Sequence, residues 1–145
     1  MTAAGTAVLL DTCAVIWLAN GDPMSPQAML AIRAAGLTQS IHVSPVSAWE
    51  IGLLSRPRPD RRGDLHFQPD PKTWFARFMG GPGIQAAALT PDIAIEASHL
   101  PGDLHGDPAD RLIIATARNL GLPIVTRDRK IIAYGESSFV RTIPC

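Results

Sequence analysis

Apolar and polar residues alternate between two periods along this chain, and the changes of period mark out its elements. Ala7-Val8-Leu9-Leu10, Ile41-His42-Val43-Ser44, Ile84 to Leu89, Pro123-Ile124-Val125-Thr126 and Phe139 to Ile143 are short apolar runs of the kind found in strands covered on both faces. Between them lie segments with helical spacing. Ala14, Ile16, Trp17 and Leu18 predict a helix ending near Asn20-Gly21, and Met29, Leu30 and Ile32 one that starts at Ser25-Pro26 and reaches about Gly36. Ser44-Pro45 opens a helix with Val46, Trp49 and Leu53 on an apolar face, and Glu50 about one turn in, on the side shared with Val46 and Leu54. Thr73 to Met79 reads as a short helix stopped by Gly80-Gly81, and Thr90-Pro91 caps another that runs to about Leu100.

The clearest unit follows. Asp107 is placed to cap a helix, Pro108 suits its first position, and Asp110 falls where a capping box wants an acid. Ile113, Ala117 and Leu120 carry the helix to Gly121, after which Pro123 to Thr126 is a strand and Arg127-Asp128 ends it. Ile131 to Gly135 is a short turn or helix. Residues 55–71 break the pattern into Pro, Arg and Asp, with Leu65-His66-Phe67 as the only extended hint, and read as a long loop.

Five strands alternating with helices predict an α/β fold, a parallel sheet between two helical layers. In such a layer a helix runs antiparallel to the strand it precedes, so Asp110 and Asp128 are expected at one sheet edge. Asp11 ends the first strand, and Glu50 opens a helix after the second. All four acids are thereby assigned to the carboxyl edge, where open α/β sheets bind ligands.

Such acids repel unless a cation lies among them. The expected cation is Mg²⁺ or Mn²⁺, which prefers oxygen ligands and bridges to phosphate, and the expected chemistry is metal-assisted cleavage of a phosphodiester. Thr12 and Thr126 are hydroxyl neighbours of two acids, able to bond the carboxylates or metal-bound water. Each acid also has an ordinary explanation. Asp107 and Asp110 suit a cap, and Asp11 and Asp128 suit turns. Glu50 is harder to explain away, because its helix face is apolar and burying an unpaired carboxylate is costly.

Composition narrows the field without changing it. The 145 residues fit one domain, and no apolar run reaches the length of a membrane span. Met1 to Gly5 has no basic region before apolar residues, so no signal peptide is read and a cytoplasmic location is expected. Cys13 and Cys145 form no motif, which argues against a disulfide or a zinc site. Formal net charge is zero; removing four site carboxylates from the 13 acids leaves 9 against 13 basic groups, so a nucleic-acid partner stays open. Arg56, Arg58, Arg61 and Arg62 form the clear basic cluster and, with Arg111, are the candidates for holding a nucleic-acid backbone. The four histidines are scattered. Trp17, Trp49 and Trp74 read as core or interface rather than as base-stacking platforms.

With these residues assembled, the chain resembles the PIN-domain family, and within it the VapC-type toxins of bacterial toxin–antitoxin pairs. The resemblance rests on Leu9-Leu10-Asp11-Thr12 with Trp17, Ser47-Ala48-Trp49-Glu50-Ile51, His105 to Arg111, and Val125-Thr126-Arg127-Asp128 with Tyr134-Gly135. It covers nearly the whole chain and implies a single PIN domain over residues 1–145, with strand order 3-2-1-4-5. It also implies a Mg²⁺- or Mn²⁺-dependent endoribonuclease whose acidic positions are Asp11, Glu50, Asp110 and Asp128. The partners it implies are an RNA substrate, a VapB-type antitoxin and a second copy of the chain. Trp17, Trp49 and the helix from Ser25 are the surfaces expected to meet them. Ala109 and Cys13 depart from common family residues, but neither is acidic. Two other readings compete: a catalytically silent RNA- or antitoxin-binding PIN module, and a receiver-like signalling domain, for which Lys72 and Lys130 are badly placed.

Overall fold

The computed structural model of the protein describes residues 6–57, 66–104 and 106–145. Its elements run β1 (Val8–Leu10), α1 (Thr12–Asn20), α2 (Pro26–Gly36), β2 (Ile41–Val43), α3 (Pro45–Leu54), α4 (Pro71–Met79), β3 (Ile84–Ala86), α5 (Pro91–Ser98), α6 (Pro108–Leu120), β4 (Ile124–Thr126), α7 (Arg129–Glu136) and β5 (Thr142–Pro144). The strands form one parallel sheet in the order β3-β2-β1-β4-β5, the order the resemblance implies.

Alternate residues of the central strands explain the layers. Val8 and Leu10 of β1, with Val125 of β4, face a core that includes Ala14 and Val15 of α1 and Ala28 and Ile32 of α2. Leu9 and Ile124 face the opposite way, into a core built with Ile113, Ile114 and Ala117 of α6 and Ile131 and Tyr134 of α7. Both faces of β1 and β4 are therefore closed to water, which is why these runs are apolar throughout instead of alternating. Fully burying each of these aliphatic side chains contributes about 1.5–3 kcal/mol.

Local signals set the helix ends. Ser25, Ser44, Asp70, Thr90 and Asp107 each accept a backbone N–H at an N-terminus followed by proline. Gly121 ends α6 with φ 69°, a left-handed turn that glycine adopts at no steric cost. Gly83 is needed for a second reason: at φ 81°, an added Cβ would lie 2.6 Å from Gly36 Cα, so two glycines let the β3 entry pass against the end of α2.

Several boundaries differ from the pattern-based expectation. α4 starts at Pro71, not Thr73, because Asp70 caps it through Thr73 N. The segment after Asp128 is a full helix that Asp128 itself caps. β5 occupies Thr142–Pro144, while Phe139 and Val140 pack into the core ahead of the sheet. β3 is shorter than expected, and Ala87 just after it is buried. On α3 the buried face carries Val46, Ser47 and Ile51, and Trp49 points outward at 56% exposure. Leu120 of α6 is likewise exposed. Trp74 is half-buried, edge-on to Phe67 and stacked with Phe78. Leu65, Arg58, Arg61, Arg62 and His105 lie outside the described residues.

Candidate active site

β1 and β4 are neighbours although Asp11, after the first, and Thr126, at the end of the second, are 115 positions apart in the chain; the sheet reverses direction of growth between them. Brought to that point, Asp11, Glu50, Asp110 and Asp128 line one cleft of about 440 Å³, together with Thr12, Cys13, Trp17 and Arg127. The four acids expected from the sequence thus share a wall.

Asp11 is the centre of the hydrogen-bond network. Its Oδ1 accepts from Thr12 N at 2.8 Å, capping α1, and its Oδ2 accepts from Thr126 Oγ1 at 2.7 Å. Cys13 Sγ lies 3.7 Å from the same Oδ2. Thr126 Oγ1 accepts in turn from Asp128 N at 3.0 Å, so one hydroxyl links two of the acids. On the other side Thr12 Oγ1 donates to Glu50 Oε1 at 2.5 Å and lies 3.0 Å from Ser47 Oγ. Thr12 and Thr126 therefore hold carboxylates, one of the two roles expected of them. Ser47 was not singled out by sequence; its position one turn before Glu50, on the buried side of α3, is the signal that marks it.

The acids at the helix starts divide their tasks. Asp107 is the cap of α6, accepting from Asp110 N at 3.1 Å, and Asp110 presents its side chain to the cleft. Asp128 serves both ends of its environment: Oδ1 caps α7 through Lys130 N and Ile131 N, while the residue lines the cleft.

Electrostatics bear the mark of crowding. Burial is the largest influence raising the Asp11 carboxyl above its ordinary value; hydrogen bonds from Thr126 and Thr12 oppose it, and the charge of Asp128 adds to it. Glu50 is also raised, first by burial and then by the charges of Asp11, Asp110 and Asp107, against the hydrogen bond from Thr12. Asp11 is only 6% exposed, held between Thr12 at the start of α1 and Thr126 at the end of β4. The Cys13 thiol is pushed up to about 12 by burial and by Asp11, which removes it as a nucleophile near neutral pH.

An all-oxygen donor set that raises the pKa of its own members suits a hard divalent cation. Among the described residues no group of three or more His, Cys, Asp or Glu side chains is placed to hold a metal ion as they stand.

Basic residues are distributed differently from the sequence expectation. Arg56 is exposed. Arg111 donates from Nε to Ala97 O at 2.9 Å and from Nη1 to Leu104 O at 3.4 Å, bracing the start of α6. Arg127 is in the cleft wall: its guanidinium lies over the Trp17 ring and donates to Cys145 O at 2.7 Å and Pro23 O at 2.9 Å. A receiver-like arrangement has the strand order 2-1-3-4-5. The observed order excludes it.

Comparison with known proteins places the chain in a family and supports its fold. The PIN domain family model matches residues 8–136. Ribonuclease VapC22 of Mycobacterium tuberculosis is 32% identical over 130 residues, covering 89% of this chain and 92% of that protein. Among solved structures, VapBC2 from Rickettsia felis, bound to a DNA fragment from their promoter, superposes with a TM-score of 0.66 at 13% identity, covering 95% of this chain and 98% of that one. The DNA-bound VapBC from Salmonella typhimurium gives 0.64 at 17% identity, covering 95% and 97%. At such identities the two structures speak to the fold.

Proposed function

This chain belongs to the PIN-domain family, and from that premise we propose that it is a metal-dependent endoribonuclease, the toxin of a VapBC-type toxin–antitoxin pair. The observation that carries the reading is the convergence of Asp11, Glu50, Asp110 and Asp128 on one cleft, with Asp11 and Glu50 both raised in pKa by burial and by their neighbours' charge. Likeness to a protein named a ribonuclease supports RNA as the substrate. We take residues 1–145 as one PIN domain.

In this reading the four carboxylates hold Mg²⁺ or Mn²⁺, which when bound activates water and offsets charge on the phosphodiester. The protein's own residues fix the geometry. Thr126 orients Asp11 and ties it to the backbone of Asp128, and Thr12, at the start of α1, holds Glu50 of α3, so neither acid must be ordered when substrate arrives. Cys13, whose thiol stays protonated, and His42, His66 and His99, which do not line the cleft, take no part in the chemistry.

The structural neighbours are toxin–antitoxin complexes, which supports a VapB-type antitoxin as partner. The surface assigned to it is the apolar trough of about 920 Å³ between α2 and α4, where Ile32, Leu37, Trp74 and Phe78 meet Arg33 and Arg77. Exposed Trp49 and Ile95 are the candidates for a homodimer contact. No helix among the described residues is long and apolar enough to cross a membrane.

The decisive experiment incubates antitoxin-free protein with structured and unstructured RNA in Mg²⁺, Mn²⁺ or EDTA, beside Asp11→Asn prepared identically. Metal-dependent cutting that disappears in the variant is expected. Equal cutting by both preparations would assign the activity to a contaminant, and measurable metal binding with no cutting of any RNA would favour the silent binding module.

A further inference from the structure

Resting on the ribonuclease reading, we infer that the stacked pair Trp17–Arg127 is a platform for an unpaired nucleobase of the substrate, beside the carboxylate site. Three observations lead there. The pair lies in the wall of the acid cleft, and Arg127 is the single basic residue among the described residues that line it. The hydrogen bonds of Arg127 run to main-chain oxygens of Cys145 and Pro23 and not to the four acids of the cleft. Those bonds lie along the edge of the guanidinium, and Trp17 covers one face, so the plane is fixed by contacts to three separate segments of chain. The residue is nonetheless exposed, which leaves the second face of a rigid cationic plane turned to solvent.

That face has a chemical complement. Sequence-tolerant recognition of single strands relies on stacking bases against aromatic rings and guanidinium planes, and an arginine already backed by tryptophan presents both in one layer. Two of its five N–H donors, one on Nε and one on Nη2, are spent on holding the plane, and the face opposite Trp17 is left for stacking. The positive charge also offsets the repulsion between the strand's phosphates and the four carboxylates. A paired base cannot insert, because both of its faces are already stacked within a helix. The platform therefore selects unpaired RNA. This reading gives Trp17 a role other than the core or interface one expected from the sequence.

The test measures binding without cutting, with Ca²⁺ in place of Mg²⁺ and again in EDTA. Full-length, antitoxin-free protein is titrated with a single-stranded oligoribonucleotide, the same strand in a duplex, and an abasic sugar-phosphate strand of equal length. Tryptophan emission and fluorescence anisotropy are followed in the unmodified protein, Trp17→Phe, Trp17→Leu and Arg127→Gln. The single strand is expected to bind about tenfold more tightly than the abasic one, with tryptophan emission changing on binding. Trp17→Leu should erase the preference while leaving abasic affinity within twofold, Arg127→Gln should erase the preference and, by removing a positive charge, also weaken abasic binding, and Trp17→Phe should lose the emission change but keep part of the preference. Thermal melts identify any variant that fails to fold; the Trp17→Phe comparison keeps the test sharp if Arg127→Gln is one.

Preference and emission change that persist in both Trp17 variants would move the contact to another ring, such as exposed Trp49, and overturn the proposal. Unchanged RNA binding together with loss of antitoxin binding would reassign the pair to the protein interface. Absence of RNA binding by the unmodified protein also overturns the platform. Cleavage by that same preparation in Mg²⁺ then tells separately whether the ribonuclease reading stands.

Discussion

At the scale of single residues, Asp11 performs two tasks that favour different states of charge. It caps α1 and accepts from Thr126, both of which favour the carboxylate, but it is buried beside Asp128, which opposes it. Asparagine caps a helix as well as aspartate does and carries no charge. Asp11→Asn is therefore expected to abolish cleavage and, in EDTA at neutral pH, to melt at the same temperature as the unmodified protein or higher. A fall of several degrees in a thermal melt would make Asp11 a structural residue first. Thr126→Val has the opposite profile. It keeps shape at a fully buried site but removes the donor to Asp11 and leaves Asp128 N without its acceptor, at a cost of about 1–3 kcal/mol in a denaturant melt. It should also weaken Mn²⁺ binding, read by calorimetry. The identity of the acids was legible in the sequence because each follows a strand or opens a helix. The burial of Asp11 was not, since it depends on β4 bringing Thr126 beside it from far along the chain.

At the scale of elements, the helix starts were the most readable feature, because Ser-Pro, Thr-Pro and Asp-Pro carry their own local hydrogen-bond logic. Asp70-Pro71 carries the same signal and was lost among the prolines of the loop around it. The start of α7 was hidden differently: Asp128 ends a strand and caps a helix at once, and a single acid announces only one of these. The division of labour at α6 gives a prediction. Asp107→Ala removes the acceptor for Asp110 N and should cost about 1 kcal/mol of stability while retaining cleavage at saturating Mg²⁺. Asp110→Asn should lose cleavage with the cap intact. Paired urea melts and cleavage rates distinguish the two, and equal loss of activity in both would make Asp107 part of the site. Strand ends were less readable, because Phe139 and Val140 are as apolar as a strand and yet pack beneath the sheet edge.

At the scale of the molecule, the two raised carboxyls link stability to pH. The folded state holds Asp11 and Glu50 protonated at a pH where the unfolded chain has already released those protons. The stability this contributes is complete below the ordinary carboxylate range and is lost as pH rises through the raised values. Metal-free protein should consequently lose part of its stability between mildly acidic and neutral pH. Millimolar Mg²⁺ should restore it, because an ion that binds the folded state alone raises the melting temperature. Asp11→Asn should flatten both responses. Melting curves across pH, with EDTA or Mg²⁺, check this; a metal-free curve without slope there would mean that the acids are too well solvated to repel. The layering and strand order were legible at this scale through the alternation of elements. Which apolar side chains stay outside was not, as Trp49 demonstrates: its place on α3 suits a core, and only the arrangement of neighbouring helices turns it to solvent.

The strand order has a meaning in time as well as in space. A chain made from its N-terminus produces β1 and Asp11 first, and the sheet then grows outward through β2 and β3. The neighbour that completes the cleft is β4, with Thr126 and Asp128 behind it, and its outer edge is closed only by β5 at residues Thr142–Pro144. Until Asp110 is added, the polypeptide holds at most two of the four acids and no wall opposite them. The cleft is therefore a late product of synthesis, assembled only when the β4 segment pairs with a strand made more than a hundred residues earlier.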